Sequence, residues 1–363
     1  MLPEAATQFY RDTKMQRSRR ASMRIGDKTL SSNRVDAATR SEKLEAMASK
    51  VAESAAQLKQ IQDASPQETR AARAERGNPF APPAVEGVEV IESSIVHDAG
   101  KTRVRRYYPS GSSFDFSKPV LTGSQRPALV YFHGGGYVLG DVAQYDTLTQ
   151  QLAERANCIV ISVDYQLAPE ARSKQIFAEA FSVYRWLYAN GADWGIDTSK
   201  IAVGGDSAGG NLSIAVGLNC KASRVPQPCF QLLLYPVTDY TMSFPSITEF
   251  SSGYFLTKAG MEWFRSHFLE DASRATDPIV SPHFADVAGL APAFVLTAGF
   301  DPLRDEGEAF ARKLSAAGVA VRHVCYTDMI HAFISFAGGI EAGMEAIEES
   351  AQALLNAFAS VSS

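Results

Sequence analysis

The sequence predicts an α/β protein with a mainly parallel central sheet and helices on both faces. Three observations predict it. Apolar-rich runs of strand length recur at residues 128–132, 158–163, 201–204, 230–235, 293–297 and 321–326, continuous at 128–132 and broken by at most two polar residues elsewhere. Runs without polar alternation belong to strands buried on both faces. Segments of helical periodicity separate them, at 145–156, 176–189, 211–221, 306–317 and 343–358, which is the alternation of a crossover sheet. The run at 201–204 also enters a helix through a turn rich in small residues, Gly204-Gly205-Asp206-Ser207-Ala208-Gly209-Gly210.

Taken from the N-terminus, residues 1–40 are polar, basic and poor in periodicity, and Arg17-Ser18-Arg19-Arg20 reads as part of a solvated arm. From Ser41 to Asp63 the pattern is helical. Leu44, Met47, Val51, Leu58 and Ile61 form a stripe, Ala48 and Ala55 fill the same face, and Ser41 with Glu45 nearby approximates an N-cap signal. That stripe predicts packing on the main domain, on a cap or on a second subunit, so a homodimer and a monomer are both open. Ser65-Pro66, Gly77-Asn78-Pro79 and Pro82-Pro83 read as breaks, and the core domain is expected to begin near residue 80.

Residues 88–96 and 103–108 then read as two strands around the turn Asp98-Ala99-Gly100-Lys101, an antiparallel edge. Between the runs at 230–235 and 293–297 the alternation lapses. Residues 240–285 hold Tyr240, Phe244, Phe250, Tyr254, Phe255, Trp263, Phe264 and Phe268. A structureless loop of that length does not suit a compact domain, so an inserted helical element is expected, with one helix over 258–269.

Composition narrows the function. The 363 residues carry a net charge of -5, which gives no reason to expect a nucleic-acid partner. Residues 1–80 hold 15 Lys+Arg against 10 Asp+Glu, and the remainder 20 against 30. Cys158, Cys220, Cys229 and Cys325 form no C-x-x-C pair, so buried free thiols and a reducing cytoplasm are expected. Neither a signal-peptide pattern nor an apolar run of membrane-spanning length is visible.

Gly205-Asp206-Ser207-Ala208-Gly209 fits G-x-S-x-G, in which a serine stands at a sharp strand-to-helix turn. Glycines permit the turn because side chains there would collide. The Ala208 amide, at the new helix's N-terminus, points where an oxyanion would form. Such a serine needs a base, and an acid to orient that base. Among His97, His133, His267, His283, His323 and His331, the last sits just past a late strand. His323 lies within that strand and reads as structural. Asp301, just past the run at 293–298, is the favoured acid; Asp305 reads better as a helix cap, and Asp328 stays open. His133-Gly134-Gly135-Gly136-Tyr137 follows a buried strand, and its glycines let backbone amides approach a substrate oxygen. His133 is then a brace for that loop rather than a base.

From about residue 85 to 360 the chain resembles the hormone-sensitive-lipase-like branch of the α/β-hydrolases, bacterial esterase group IV. The matching pieces, in order, are His133–Gly136, Asp164-Tyr165-Gln166-Leu167-Ala168-Pro169-Glu170, Gly205–Gly210, Asp301–Glu306 and Met329-Ile330-His331-Ala332-Phe333. The resemblance implies an α/β-hydrolase fold and a serine carboxylesterase acting on short- to medium-chain acyl esters, with no metal or cofactor. The alternatives are a non-catalytic small-molecule receptor on the same fold, against which the retained His331 counts, and an amide, thioester or lactone hydrolase using the same groups. It implies Ser207 as nucleophile, Asp301 as acid and His331 as base. It places an oxyanion hole at the amides of Gly134, Gly135 and Ala208, with His133, Gly136 and Asp206 as loop supports. It implies a catalytic domain at 81–239 and 286–363, and a cap built from 1–80 and 240–285. The chain departs from the family at Gln166, where arginine is usual, and at Ser173-Lys174, where Phe-Pro is usual. Asp328 and Ala332 stand where glycines are usual.

Overall fold

The computed structural model describes residues 20–25, 44–112 and 125–361. The polar arm expected over 1–40 therefore lies largely outside the described residues, as does Ser41. The strands are β1 (Arg20–Ile25), β2 (Glu89–His97), β3 (Gly100–Tyr108), β4 (Arg126–Phe132), β5 (Ile159–Asp164), β6 (Ile196–Asp206), β7 (Gln231–Leu234), β8 (Ala293–Phe300) and β9 (Val321–Ile330). They form one nine-stranded sheet in the order β1-β9-β8-β7-β6-β4-β5-β3-β2. From β5 to β9 neighbouring strands are parallel. The hairpin β2–β3 adds an antiparallel edge beside β5.

The central strands alternate strictly between two cores. Leu129, Tyr131, Val160, Ala202, Leu232 and Leu296 face one; Val130, Phe132, Ile161, Val163 and Val203 face the other. Helices α3 (Asp146–Arg155) and α9 (Glu341–Ser360) cover the first face. Helices α4 (Ser173–Asn190) and α5 (Ala208–Ser223) cover the second, and α8 (Arg304–Ala316) packs beside β8 and β9. Burial on both faces is why these strands read as continuous apolar runs.

The opposite edge differs from expectation. Within the stretch read as lacking periodicity, β1 pairs antiparallel with β9, Arg20 opposite Tyr326 and Ile25 opposite Val321. The long stripe of 44–61 is also divided. Helix α1 spans only Ala46–Ala56, and Ile61–Asp63 is a separate 3-10 turn. The Gln60 side chain closes α1, its Nε2 donating to the carbonyls of Ala56 and Leu58 at 3.2 and 3.0 Å. The N-cap is Glu45, whose Oε2 accepts from the Met47 and Ala48 amides at 2.8 Å each.

Ser65-Pro66 is a helix start rather than a break. Helix α2 (Pro66–Arg76) opens with a reciprocal capping box between Ser65 and Glu68 and with proline in its first turn. Within 240–285 the ordered elements are α6 (Pro245–Glu249), α7 (Lys258–Phe268) and two 3-10 turns. Asp305 lies inside the first turn of α8 and does not cap it; its carboxylate accepts from the Ser246 amide at 3.0 Å and from Arg304 Nε at 2.8 Å. The departure at Ser173-Lys174 has a local use. Ser173 Oγ donates to Glu270 Oε2 at 2.5 Å, and the Lys174 amide donates to Glu270 Oε1 at 2.9 Å, tying the start of α4 to the residues after α7.

Candidate active site

Ser207 stands between β6 and α5 with φ 55° and ψ -115°, a backbone conformation that costs of order 1–3 kcal/mol and persists only when its surroundings enforce it. Its amide donates to the Leu234 carbonyl at 2.8 Å, and its carbonyl accepts from the Asn211 and Val237 amides at 3.2 Å each. The flanking glycines are steric necessities. A Cβ on Gly205 would lie 2.2 Å from the Phe132 carbonyl oxygen, and one on Gly209 1.8 Å from the same atom.

His331 follows β9, and Asp301 follows β8. His331 Nε2 lies 3.0 Å from Ser207 Oγ, and His331 Nδ1 lies 2.7 Å from Asp301 Oδ2. Asp301 is fully buried, and its Oδ1 accepts from the Leu303 amide at 2.9 Å. The Tyr235 ring meets the His331 ring edge-on at 4.9 Å and limits its rotation. The sequence left Asp305 and Asp328 as rival partners. Asp305 is engaged with Ser246 and Arg304, and Asp328 Oδ1 has no hydrogen-bond partner. His323 bonds Thr297 Oγ1 at 2.9 Å, and burial pushes its pKa down to about 4.

The glycine loop after β4 corrects one expectation. The Gly134 amide donates to Asp206 Oδ1 at 2.9 Å, so it is not free for a substrate oxygen. Asp206 Oδ1 also accepts from the Tyr131 hydroxyl at 2.8 Å, and Oδ2 from the Tyr145 hydroxyl at 3.2 Å. Burial raises the Asp206 pKa, and these donors with the neighbouring His133 work against that rise. Gly135, Gly136 and Ser207 line an open cavity that Gly134 does not reach, and His331 borders it too. Both glycines take positive φ, 114° and 62°. A Cβ on Gly135 would strike the Leu139 carbonyl oxygen at 2.2 Å, and one on Gly136 the Phe264 ring at 2.3 Å. The residue spacing alone could not tell which of three consecutive amides is left open; the rotamer of Asp206 decides it.

His133 is fully buried and stacked between Tyr165 and Tyr145, ring centroids 4.4 and 5.4 Å away. Its Nδ1 sits 2.8 Å from the Gly134 carbonyl oxygen, while Nε2 has no partner. Burial lowers its pKa. A neutral ring with the proton on Nδ1 fits both nitrogens, and its place inside the loop suits a brace. Tyr165 belongs to the matched stretch Asp164–Glu170, whereas nothing in the sequence distinguishes Tyr145 from other core aromatics.

The cavity measures about 470 Å³. Val51, Leu58 and Ile61 line it from the N-terminal segment, and Phe255, Met261 and Phe264 from the 240–285 segment. The arrangement can pass a proton from a hydroxyl to an imidazole held by a buried carboxylate, beside two amides that face an apolar chamber.

Known proteins share this framework. The family described as alpha/beta hydrolase fold matches residues 129–335. The ethyl acetate hydrolase of Pseudomonas putida is 37% identical over 264 residues, covering 72% of this chain and 80% of that protein. The carboxylesterase NlhH of Mycobacterium tuberculosis is 38% identical over 244 residues, covering 66% and 76%. Among solved structures, a thermostable esterase from Pseudomonas putida superposes with a TM-score of 0.80 at 32% identity, covering 88% of this chain and 98% of that one. An ester-hydrolase from the metagenome of Lake Arreo gives 0.81 at 33% identity, covering 87% and 100%. With the sheet order, the serine turn and these likenesses together, the chain belongs to the hormone-sensitive-lipase-like esterases of the alpha/beta hydrolase fold.

Proposed function

We propose that the protein hydrolyses small carboxylic esters through an acyl-enzyme on Ser207. The observation that carries this reading is the continuous relay Ser207 Oγ, His331 Nε2, His331 Nδ1, Asp301 Oδ2, with links of 3.0 and 2.7 Å, opening on one chamber. Neutral His331, its Nδ1–H held by Asp301, takes the Ser207 proton as the oxygen attacks the ester carbonyl. The developing oxyanion is met by the Gly135, Gly136 and Ala208 amides, each such donor being worth ~10²–10³ in rate. His331 then protonates the departing alcohol, later takes a proton from water as its oxygen attacks the acyl carbon, and returns that proton to Ser207 Oγ as the acid leaves.

Residues 44–80 and 240–285 act together as a cap, since both furnish cavity wall over Ser207. A chamber of about 470 Å³ suits short to medium acyl groups better than long-chain fats. Among the described residues no helix is long and apolar enough to cross a membrane.

The test is turnover of p-nitrophenyl esters of increasing acyl length by the wild type and by folded Ser207→Ala. The reading expects wild-type turnover with an optimum at short or medium chains, an initial burst of nitrophenol, and loss of both in the variant. Equal rates in the two proteins overturn it.

A further inference from the structure

Helix α2 crosses the glycine loop and is fastened there by Arg70. Its Nε donates to the Val138 carbonyl at 2.7 Å, Nη2 to the Ala168 carbonyl at 2.6 Å, and Nη1 pairs with Glu170 Oε1 at 2.8 Å. One turn and two turns further on, Arg73 and Arg76 behave differently. Both line the cavity that holds Ser207, and the side chain of neither makes a hydrogen bond or ion pair with the described residues. The cavity's carboxylates do not answer them. Glu68 is taken by Ser65, Asp206 by Tyr131, Gly134 and Tyr145, and Asp239 by Thr241 and Ser243.

Three and four residues apart on a helix are neighbours on one face, so two arginines at this spacing repel each other unless an anion sits between them. Burial lowers the Arg76 pKa, and the charge of Arg73 lowers it further. The Arg73 charge is also felt at Tyr145, where it opposes the rise in pKa caused by burial and by Asp206. Tyr145 bonds Asp206, the residue before Ser207, so this cation stands toward the reacting end of the chamber. The helix dipole favours basic residues in the last turn of α2 on any side. It gives no reason for half-buried Arg73 and exposed Arg76 to line an apolar chamber without partners among the described residues.

We propose that Arg73 and Arg76 form an anion subsite, and that the preferred substrates are esters carrying a carboxylate on one half. The reacting carbonyl lies at Ser207 and the carboxylate beneath α2. A guanidinium pair suits a carboxylate because its planar donors meet both oxygens. The proposal rests on the ester-hydrolase reading of the same cavity.

The experiment compares monomethyl adipate with methyl hexanoate, matched in length and differing in the terminal charge, with acid release followed by titration at constant pH. The wild type is expected to show the higher kcat/KM on monomethyl adipate. That preference should fall about tenfold in R73Q/R76Q, as loss of a partly exposed charge-assisted contact implies, and be restored in part by R73K/R76K. In the wild type the KM for monomethyl adipate should rise with added salt while that for methyl hexanoate does not. A preference equal in wild type and R73Q/R76Q overturns the proposal, and so does a salt-independent KM. If neither ester is turned over, the hydrolase reading fails by itself, and calorimetry on Ser207→Ala decides the subsite. Binding of monomethyl adipate that disappears in S207A/R73Q/R76Q upholds it, and absence of binding overturns it.

Discussion

The Gly134 amide donates to Asp206 Oδ1 at 2.9 Å, so the residue before Ser207 pins the first glycine of the loop that faces it across the cavity. The serine turn and the glycine loop are thereby one rigid body, because Tyr131 and Tyr145 hold the same carboxylate from the other side. The positions of the Gly135 and Gly136 amides follow from that anchor.

Replacing Asp206 with alanine leaves three buried donors without an acceptor. Each unsatisfied group costs about 1–3 kcal/mol, so the variant should melt lower than wild type while still folding. Its effect on catalysis should exceed its effect on binding. A loosened oxyanion loop lowers kcat by ~10²-fold with KM changed far less. Steady-state kinetics on one p-nitrophenyl ester, beside a thermal melt, measures both. An unchanged kcat would show that the loop holds its shape without Asp206.

Ala332 adopts φ 64° and ψ 13° immediately after His331. A left-handed backbone costs a residue with Cβ roughly 1 kcal/mol that glycine does not incur, and glycine is what the family resemblance expects there. Ala332→Gly should therefore be neutral or stabilising by about 0.5 kcal/mol, the relief of strain being offset by the greater freedom of the unfolded chain. A denaturant midpoint clearly below that of wild type would refute the strain argument.

Asp328 is half-buried, and its Oδ1 lacks a partner among the described residues. Burial raises its pKa; a backbone hydrogen bond works against this, and Glu45 and Glu345 add to the rise. Between the ordinary value of 3.8 and the raised folded value, the folded chain binds more protons than the unfolded one. Stability from this group therefore falls as pH rises through that window, and the full penalty is present above it. Asp328→Asn should raise the melting temperature near neutral pH by about 2 °C or more. The gain should shrink toward zero as the pH drops below the carboxyl range of the unfolded chain. Melts across pH, wild type against variant, read the sign directly; a gain that grows on acidification contradicts it.

The serine turn was legible because its sequence is dictated by backbone contact. Gly205 and Gly209 both press on the Phe132 carbonyl, and no other residue fits. The buried strands were legible for a similar reason, since cores on both faces demand apolar side chains at most positions. Strand β1 is only faintly legible: Arg-Ala-Ser-Met-Arg-Ile alternates polar and apolar, but one short alternation is weak within a long basic stretch. The capping box of α2 is written in Ser65-Pro66-Gln67-Glu68, but a Ser-Pro pair reads equally as a break, because both meanings use the same residues. Where Arg73 and Arg76 point could not be read at all. Their facing depends on how Arg70 seats the helix on Val138, Ala168 and Glu170, contacts between residues far apart in the chain.

The Phe264 ring fills the space that a side chain at position 136 would need, and this places a late part of the chain directly against the loop it shelters. The Ser207–His331–Asp301 relay and the 240–285 wall of the chamber thus come from different stretches of the chain, and Phe264 is one point where they meet. On the proposed reading, exchanging residues 44–80 or the remainder of the 240–285 segment changes which esters the chamber takes while the strand-end groups keep their spacing. A recombinant library built on this fold should hold Phe264 constant and vary what surrounds it.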